Sequence, residues 1–430
     1  MPAHDVSAHH PSAIVIRGAV RALGPEETRC ASLRVVPSRT SIRLVEPAPS
    51  IHIDLSGYLL MPGLINAHDH LHFALHPRLG NPPYRNYIHW GEDIHATLSQ
   101  LIATYKAVPK DVRLWWGLIR NLLCGVTTVC HHDEIWPLLR KNDLPITVLQ
   151  QFGWAHSPAL GGDLRQAHAT TPHDSAFLVH ACEGVDDLAR NELRELHHLG
   201  VLDAGTVIVH GLAMNEADVR LMNEQRASLI LCPSSNEFLF ERLPHFSTLG
   251  AIEKVALGSD SPITASGDLL DEVRFAIERC GITPTRAYRM VTDSAAEVLR
   301  LKNGEGMLCT SGITDLIAIR DTGEIPAERL RTLSMHDIEL VIAHGSVQLA
   351  SESMRQQLPS ELMQDMEPLW VDGEIRWLHA PVQMLLQQTE AVLGSDNVHL
   401  GNRPVRSPHN SIAAAVPTSQ ERPAYSGGRA

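Results

Sequence analysis

The 430-residue sequence lacks the features of several protein classes. No stretch approaches the ~18 consecutive apolar residues that a transmembrane helix needs. No block of lysine and arginine is present, and the net charge of −13 argues against a nucleic-acid partner. The seven cysteines are odd in number, scattered and without a C-x-x-C pair, which argues against a disulfide framework. The opening MPAHDVSAHHPSA has no apolar signal segment, so we expect a cytoplasmic protein with neither a membrane nor a nucleic-acid partner.

The pattern of apolar and polar residues in the middle of the chain differs from the pattern at its two ends. Residues 1–60 and 305–400 read as short strands with turns, whereas in residues 61–304 short apolar runs alternate with longer helical stretches. That alternation indicates βα units, and the middle region is close to the ~250 residues of a (β/α)8 barrel. Only seven strand-like runs can be named, because one run stands between GVTTVCHHD and AFLVHACE where a full barrel has two. We therefore predict an α/β fold with a TIM-like barrel, distorted near that strand or holding a short, irregular strand near residues 155–160. Residues 401–430, rich in Pro, Ser and Ala, are predicted to be a disordered tail.

A histidine pair closes the first strand of the middle region. In LLMPGLINAHDHLHF, residues 59–73, an apolar run ends in His68, His70 and His72. Residues i and i+2 of a strand point to the same face, so His68 and His70 can aim two imidazoles at one point, as a metal site requires. With 25 histidines in the chain, one or two such pairs are expected by chance, so this motif needs support from elsewhere.

Later strands supply that support. Polar residues at the ends of AFLVHACEG, VIVHG and VALGSD join the first pair, and the set is His68, His70, His180, Glu183, His210 and Asp260. The carboxyl ends of parallel barrel strands meet at one face, where these groups would converge. Three histidines and an aspartate suit Zn²⁺, with iron or another divalent metal as alternatives, and Glu183 and His210 remain to serve a metal-activated water. A single histidine at a strand end is more often a core residue, but the ordered recurrence favours a site.

The same motifs resemble a known family. MPGLINAHDH, GVTTV, HACEG, VHG, CPSSN, LGSD and GMLCTSGITDLIAI occur in the order typical of the amidohydrolase superfamily, in the branch of cytosine, guanine and S-adenosylhomocysteine deaminases and triazine hydrolases. The resemblance implies a (β/α)8 barrel beside a small β-sandwich built from residues 1–60 and 305–400. It implies one metal bound by His68, His70, His180 and Asp260. Glu183 would then be the proton shuttle, and His210 would orient water or substrate.

The resemblance also bears on the number of metals and on the reaction. Binuclear relatives bridge two metals with a carbamylated lysine at a middle strand end, but the only lysine between residues 111 and 253 is Lys141, in a connecting segment. One metal is therefore expected, and a second metal bridged by a carboxylate remains the alternative. A metal lowers the pKa of bound water toward ~7. Attack on a carbon that bears an amino group, with Asp260 and Glu183 moving protons, would release ammonia. We predict a hydrolase of non-peptide carbon–nitrogen bonds, a deaminase of a cyclic amidine or aminated heterocycle; an amidase, a lactamase, a dehalogenating hydrolase and a non-catalytic barrel relative remain alternatives.

The substrate pocket is the least determined part of the sequence. The glutamine that guanine deaminases carry after His-x-His and the middle-strand arginine of adenosine-type relatives are both absent. Candidate substrate-binding residues are Trp154, His156, Asn236 and Ser261. His131 and His132, at the end of a strand, are pocket or supporting groups rather than predicted ligands. The expected partner is a small-molecule substrate, and the resemblance allows a homo-oligomer.

Overall fold

The computed structural model describes residues 13–36, 50–308 and 315–408. The first strands within these ranges are β1 (Ala13–Arg17), β2 (Val20–Ala22), β3 (Thr28–Cys30), β4 (Leu33–Val35), β5 (Ser50–Asp54) and β6 (Tyr58–Pro62). The strands of the middle region are β7 (Leu64–Asp69), β8 (Val126–His131), β9 (Thr147–Val148), β10 (Gly153–Ala155), β11 (Phe177–Ala181), β12 (Thr206–His210), β13 (Ser228–Leu231) and β14 (Val255–Leu257). The last strands are β15 (Leu316–Arg320), β16 (Leu340–Ala343), β17 (Ser346–Ser351), β18 (Glu367–Val371), β19 (Glu374–Leu378), β20 (His399–Leu400) and β21 (Arg403–Arg406).

The middle strands are parallel and lie in two sheets. One sheet has the order β7-β8-β9 and the other the order β10-β11-β12-β13-β14. β7 also lies against β14, where the Asp260 amide donates to the His68 carbonyl at 3.1 Å. Among the described residues these eight strands do not form one closed ladder, so the structure has a mixed α/β fold with two parallel arcs. The strand missing from the sequence analysis is β10, which has only three residues and pairs with β11.

Both faces of the parallel strands are buried. Alternate residues of β12 pack in different apolar clusters. Val207 and Val209 lie in the one that we call the inner cluster, and Ile208 lies in the other, the outer cluster. The same alternation in β13 places Ile230 in the inner cluster and Leu229 in the outer one. Strands covered on both faces are apolar throughout, which explains why these runs do not alternate with polar residues.

Helices connect and cover these strands. They are α1 (Tyr87–Thr97), α2 (Ser99–Lys106), α3 (Lys110–Leu123), α4 (Leu164–Ala169), α5 (Asp187–His198), α6 (Glu216–Gln225), α7 (Pro233–Phe240), α8 (Phe246–Leu249), α9 (Leu269–Cys280), α10 (Pro284–Met290), α11 (Asp293–Val298), α12 (Pro326–Thr332), α13 (Glu352–Arg355) and α14 (Val382–Leu393). Short 3₁₀ turns occur at Leu71–Phe73, Pro137–Arg140, Met335–Asp337, Ser360–Met363 and Ser395–Asn397. α9 begins where the Asp268 carboxylate accepts from the amides of Leu270 and Asp271, and Asp271 closes a capping box. No helix within the described ranges is long and apolar enough to cross a membrane.

The terminal segments of the described chain share sheets. The larger sheet has ten strands in the order β20-β21-β18-β19-β17-β16-β15-β6-β2-β3. The smaller sheet has three strands in the order β4-β1-β5. The two ends meet where β6 and β15 pair antiparallel. The predicted disordered tail begins too early, because β21 pairs with β18 and Arg403 forms ion pairs with Asp268 and Asp271. Residues 409–430 of that predicted tail lie outside the described residues.

Candidate active site

The four predicted metal ligands converge at the ends of three strands. His68 lies near the end of β7 and His70 directly follows that strand, His180 is the second-last residue of β11, and Asp260 follows β14. Nε2 of His68 lies 3.4 Å from Nε2 of His180 and 3.7 Å from Oδ1 of Asp260. Nε2 of His70 lies 3.9 Å from the same oxygen. These side chains come from positions up to 192 residues apart. His68 belongs to two overlapping groups of potential metal ligands, one with His70 and Asp260 and the other with His180 and His210.

Hydrogen bonds to neighbouring groups fix which histidine nitrogens carry protons. Nδ1 of His180 lies 2.6 Å from the His156 carbonyl oxygen, so it carries the proton and Nε2 keeps its lone pair. Nε2 of His132 donates to the Ala155 carbonyl at 3.1 Å, which leaves its Nδ1 as an acceptor for Nδ1–H of His68 at 3.3 Å. Nε2 of His68 is therefore also an unprotonated acceptor. This is the arrangement in which neighbouring groups orient histidine ligands toward a metal.

The donor set fits a divalent cation. Two Nε2 lone pairs, of His68 and His180, face one another beside the Asp260 carboxylate, and they would repel without a positive charge among them. Burial lowers the pKa of both histidines well below its usual range, with the neighbouring histidines adding to the effect, so protons do not supply that charge at neutral pH. Three imidazoles and one carboxylate are ligands that zinc accepts.

Asp260 is held firmly at the end of β14. Its Oδ1 accepts from the Ser261 amide at 2.7 Å, and its Oδ2 accepts from the Thr264 hydroxyl at 3.1 Å. The residue adopts a φ of +49°, a left-handed conformation that costs a non-glycine residue roughly 1–3 kcal/mol. His210 has a φ of +76° at the end of β12. Both side chains thus leave their strands in backbone conformations that the surrounding structure has to impose.

Glu183 and His210 form a second polar pair beside the cluster. Nε2 of His210 lies 3.7 Å from Oε1 of Glu183, while its Nδ1 donates to Oδ1 of Asn236 at 3.1 Å. Burial raises the pKa of Glu183 well above its usual range, and the nearby carboxylates of Asp260 and Glu192 raise it further. A raised pKa favours the protonated form of Glu183, the form in which a carboxyl group can act as a general acid.

A buried polar network behind the cluster was missed in the sequence analysis. Arg120 of α3 donates through Nη1 to Oδ2 of Asp69 at 3.0 Å, to the Asp260 carbonyl at 3.2 Å and to the Ser259 hydroxyl at 3.2 Å. Nδ2 of Asn66 donates to the Ser259 hydroxyl and to Oδ1 of Asn121, at 2.8 Å each. The available signal was the polar pair Arg120 and Asn121 inside the apolar run WWGLIRNLLCG of α3. The network links β7, α3 and the segment after β14, which together carry three of the four ligands.

The substrate-pocket residues predicted from the sequence are placed differently from one another. A cavity of about 610 Å³ opens onto the cluster, and His156 and Ser261 line it. Asn236 supports His210 and does not line the cavity, although its Nδ2 is buried without a hydrogen-bond partner. Trp154 also does not line it, because its ring packs in the inner apolar cluster with its centroid 5.9 Å from that of His132.

Most of the remaining cavity wall was not anticipated. It comes from the segment between β7 and α3, which supplies Phe73, His76, Leu79, Tyr87, Ile88, Trp90, Gly91, Glu92, Ile94, His95, Ile102 and Lys106. Tyr87 ties this segment to the site, since its amide donates to the Glu183 carbonyl at 3.3 Å and its hydroxyl donates to Glu192 at 2.8 Å. The sequence analysis did not show the surface against which this segment closes.

A second group of potential ligands, His72, His131 and Asp133, lies nearby. Nδ1 of His131 accepts from the Leu71 amide at 3.2 Å, so its Nε2 carries the proton and cannot bind a metal in that tautomer. Nδ1 of His72 lies 3.6 Å from Oδ2 of Asp133. The tautomer of His131 therefore argues against metal binding by this group.

Comparison with known proteins bears on the class of this protein. Residues 159–346 match the sequence model of the amidohydrolase family, which confirms the resemblance to that superfamily. The 5-methylthioadenosine/S-adenosylhomocysteine deaminase of Natronomonas pharaonis is 27% identical over 387 residues, covering 76% of this chain and 85% of the relative. The enzyme of the same name from Caldanaerobacter subterraneus is 21% identical, covering 70% and 84%.

Solved structures share the fold. A zinc-bound adenosine deaminase from Xanthomonas campestris superposes with a TM-score of 0.65 at 18% identity, covering 89% of this chain and 98% of that one. An atrazine chlorohydrolase variant from Arthrobacter aurescens, complexed with zinc and atraton, superposes with a TM-score of 0.63 at 15% identity, covering 88% and 99%. At these identities the likeness concerns the fold.

Proposed function

We propose that the protein is a metal-dependent hydrolase of non-peptide carbon–nitrogen bonds that removes the amino group of a cyclic amidine or an aminated heterocycle. The observation that carries this proposal is the cluster of unprotonated Nε2 atoms and the Asp260 carboxylate beside the buried pair Glu183 and His210. The amidohydrolase match and the deaminase relatives support the same reaction.

The residues that would hold the metal are His68, His70, His180 and Asp260. Zinc is the proposed ion, because the set has three nitrogens and one oxygen and because the structural neighbours hold zinc. When bound there, a divalent ion supplies nucleophilic water at neutral pH. A single ion is proposed, since Lys141 is exposed in a connecting segment and cannot bridge a second one.

The protein groups beside the cluster would move the protons. Water adds to the ring carbon that bears the amino group, and Asp260 accepts the proton that this water loses. Glu183 donates a proton to the adjacent ring nitrogen, takes up the hydroxyl proton of the tetrahedral centre and passes it to the leaving amine, so ammonia departs and a carbonyl remains. The proton that Asp260 accepted from water then returns to Glu183. His210 keeps its Nε2 lone pair beside Glu183 because Asn236 holds its Nδ1–H, which orients the ring for contact with water or substrate.

We also infer that the two parallel arcs belong to one (β/α)8 barrel that is interrupted between β9 and β10. The contact between β14 and β7 supports closure on one side, and the shortness of β9 and β10 accounts for the gap on the other. The terminal sheets would then form the composite β-sandwich domain of residues 1–60 and 305–400.

The first test is metal content, followed by a screen for ammonia release. The purified chain is expected to hold one zinc or iron, and the screen should include 5-methylthioadenosine, S-adenosylhomocysteine and aminotriazines. Loss of Glu183 in Glu183→Gln should lower kcat by about 10²- to 10⁴-fold with the metal retained, because a general acid contributes that much. Glu195→Gln, an exposed residue of α5, is the matched control.

Other results would redirect or reject the proposal. Release of a carboxylate or of halide would indicate an amidase or a dehalogenating hydrolase. A chain that takes up no metal on reconstitution, or whose activity is unchanged in Glu183→Gln, would contradict the catalytic assignment and favour a non-catalytic barrel relative.

A further inference from the structure

Glu192 is a buried carboxylate beside the site that the proposed mechanism does not use. It lies on α5 and is 2% exposed. Its Oε2 accepts from the Cys182 amide at 2.6 Å, and its Oε1 accepts from the Tyr87 hydroxyl at 2.8 Å. Cys182 directly precedes Glu183, whereas Tyr87 is the first residue of α1 and lines the cavity. The two oxygens of one carboxylate therefore hold the backbone beside the proposed proton shuttle and the wall of the cavity.

The bond to Cys182 lies where the chain turns out of β11. Cys182 has a φ of +57°, a left-handed conformation that a residue other than glycine adopts only where its surroundings hold it. A hydrogen bond from an amide to a carboxylate is charge-assisted and stronger than one between neutral groups. Glu192 therefore stabilises the turn from which the Glu183 side chain extends.

A short antiparallel ladder joins the same turn to the start of α1. The Val185 amide donates to the Arg85 carbonyl at 2.8 Å, and the Tyr87 amide donates to the Glu183 carbonyl at 3.3 Å. Between these bonds the two backbones approach closely, because a Cβ at Gly184 would lie 2.7 Å from the Arg85 carbonyl oxygen. The start of α1 and the segment that carries the shuttle therefore form one packed unit.

This unit connects the cavity wall to the reacting groups. α1 forms a large part of the wall, through side chains that include Ile88, Trp90 and Ile94. Glu192 does not line the cavity, so any effect that it has on substrate passes through the residues it holds. Its two hydrogen bonds relate the position of this wall to the position of Glu183.

We propose that Glu192 is a positioning residue, whose Oε2 fixes Glu183 for proton transfer and whose Oε1 fixes the cavity wall formed by α1. The proposal rests on the function inferred above, because it requires Glu183 to move protons. The two partners of Glu192 are an amide and a hydroxyl, which need an acceptor of the right length. The role is therefore one of reach more than of charge.

Two variants of Glu192 separate reach from charge. Glu192→Gln keeps the length of the side chain and an acceptor for the Cys182 amide, whereas Glu192→Asp keeps the charge but is one carbon shorter. Burial raises the pKa of Glu192 to about 7, so a neutral side chain at this position is compatible with the fold near neutral pH. Glu192→Asp should lower kcat about 100-fold, because a displacement of about 1 Å can cost that much. Glu192→Gln should keep kcat within about tenfold of the parent value, because it exchanges a charge-assisted bond for a neutral one.

A third variant tests the other oxygen. Tyr87→Phe removes only the bond to Oε1, so it should raise KM about tenfold and leave kcat unchanged. Glu195→Asp and Glu195→Gln, at an exposed position of the same helix, are the matched controls and should change neither constant. The metal-loaded full chain is assayed with whichever of 5-methylthioadenosine, S-adenosylhomocysteine and the aminotriazines releases ammonia fastest. Each variant is measured at its own optimum pH, so that a changed pKa of Glu183 does not enter the comparison.

Hydrogen exchange of the metal-loaded chain gives a second readout that needs no turnover. Glu192→Asp should speed the exchange of amides in residues 182–185 and 85–91 about tenfold, because both hydrogen bonds of the carboxylate are weakened. Tyr87→Phe should speed exchange only in residues 85–91. The two Glu195 variants should leave both segments unchanged.

The outcomes separate this inference from the proposed function. Ammonia release with full kcat in Glu192→Asp, or with Glu192→Gln slower than Glu192→Asp, would overturn the positioning role and leave the deaminase standing. A lowered kcat with unchanged KM in Tyr87→Phe would overturn the division between the two oxygens. Absence of ammonia release from every compound would count against the deaminase. Exchange would then decide the coupling, since faster exchange of both segments in Glu192→Asp supports it and unchanged exchange overturns it.

Discussion

Replacing Arg120 by methionine would remove the cation at the centre of the network behind the site. Its side chain is 3% exposed, and Nη1 contacts Asp69, Ser259 and the Asp260 carbonyl, while Nε donates to the Gly267 carbonyl at 3.0 Å. Methionine keeps much of the side-chain volume, so the change mainly deletes charge and hydrogen bonds. The substitution therefore tests whether this network stabilises the fold and positions the ligands.

The expected loss of stability in Arg120→Met depends on whether the Asp69 carboxyl stays charged or takes up a proton. Removing one partner of a buried ion pair costs about 3–5 kcal/mol, because the other charge stays buried without compensation. Asp69 keeps a hydrogen bond from Nδ2 of Asn121 at 2.7 Å, and burial already raises its pKa, so it can take up a proton instead of remaining charged. We therefore expect the lower end of that range, a loss of about 3 kcal/mol in the free energy of unfolding. Metal affinity should fall about tenfold, because groups that orient ligands typically contribute 10–100-fold.

Denaturant unfolding of the metal-loaded chain, with metal affinity from competition against a chelator, measures both effects. Arg190→Met is the matched control, since Arg190 is exposed on α5 and pairs with Asp187 at 2.9 Å, an interaction of about 0.5 kcal/mol or less. Adding Asp69→Asn to Arg120→Met should recover part of the lost stability by removing the orphaned carboxyl. A loss below about 1 kcal/mol for Arg120→Met, with metal affinity unchanged, would refute the reasoning.

Three further substitutions test the electrostatics and packing of the site. Glu272 accepts from the amide of Ser234 at 2.9 Å, and burial raises its pKa to about 8 from 4.5, so its contribution to stability is present below about pH 4.5 and is lost as the pH rises toward 8. Glu272→Gln should remove about 3–5 kcal/mol of that pH dependence, measured as the difference between variant and parent unfolding curves from pH 5 to 8. Gly258→Ala should displace β14 from β7, because its Cβ would lie 2.5 Å from Cβ of His68, and should lower the thermal unfolding temperature and metal content together. His132→Phe should keep the packing but remove the acceptor for Nδ1–H of His68, lowering metal affinity about 10- to 100-fold in chelator competition.

Each of these three predictions would be contradicted by a specific result. A pH profile for Glu272→Gln parallel to that of the parent would show that this carboxyl ionises at its ordinary pKa. Full metal content in Gly258→Ala would mean that the strands separate without disturbing His68. Unchanged metal affinity in His132→Phe would show that its neighbours other than His132 hold the His68 ring.

The sequence by itself showed which polar residues follow the apolar runs and in what order they occur along the chain. His68, His70, His180, Glu183 and Asp260 could be chosen because each ends an apolar run, and strand periodicity and the parallel arrangement of such runs are local properties that one sequence displays. The mixed α/β fold and the strand-rich ends followed from the same patterns. The short strand β10 was anticipated only as an irregularity, because three residues carry too little pattern to be recognised.

Only the tertiary structure decided what surrounds those groups. The Asn66–Ser259 hydrogen bond spans 193 residues, and the relay from Ala155 through His132 to His68 joins three strands; neither leaves a periodic signal in the sequence. Much of the cavity wall arises because the segment between β7 and α3 folds over the cavity, which apolar residues on α1 and α2 do not by themselves reveal. Hydrogen-bond partners and cavity walls depend on the positions of residues distant in sequence, whereas each proposed ligand could be chosen from the sequence because it lies at or just after the end of an apolar run.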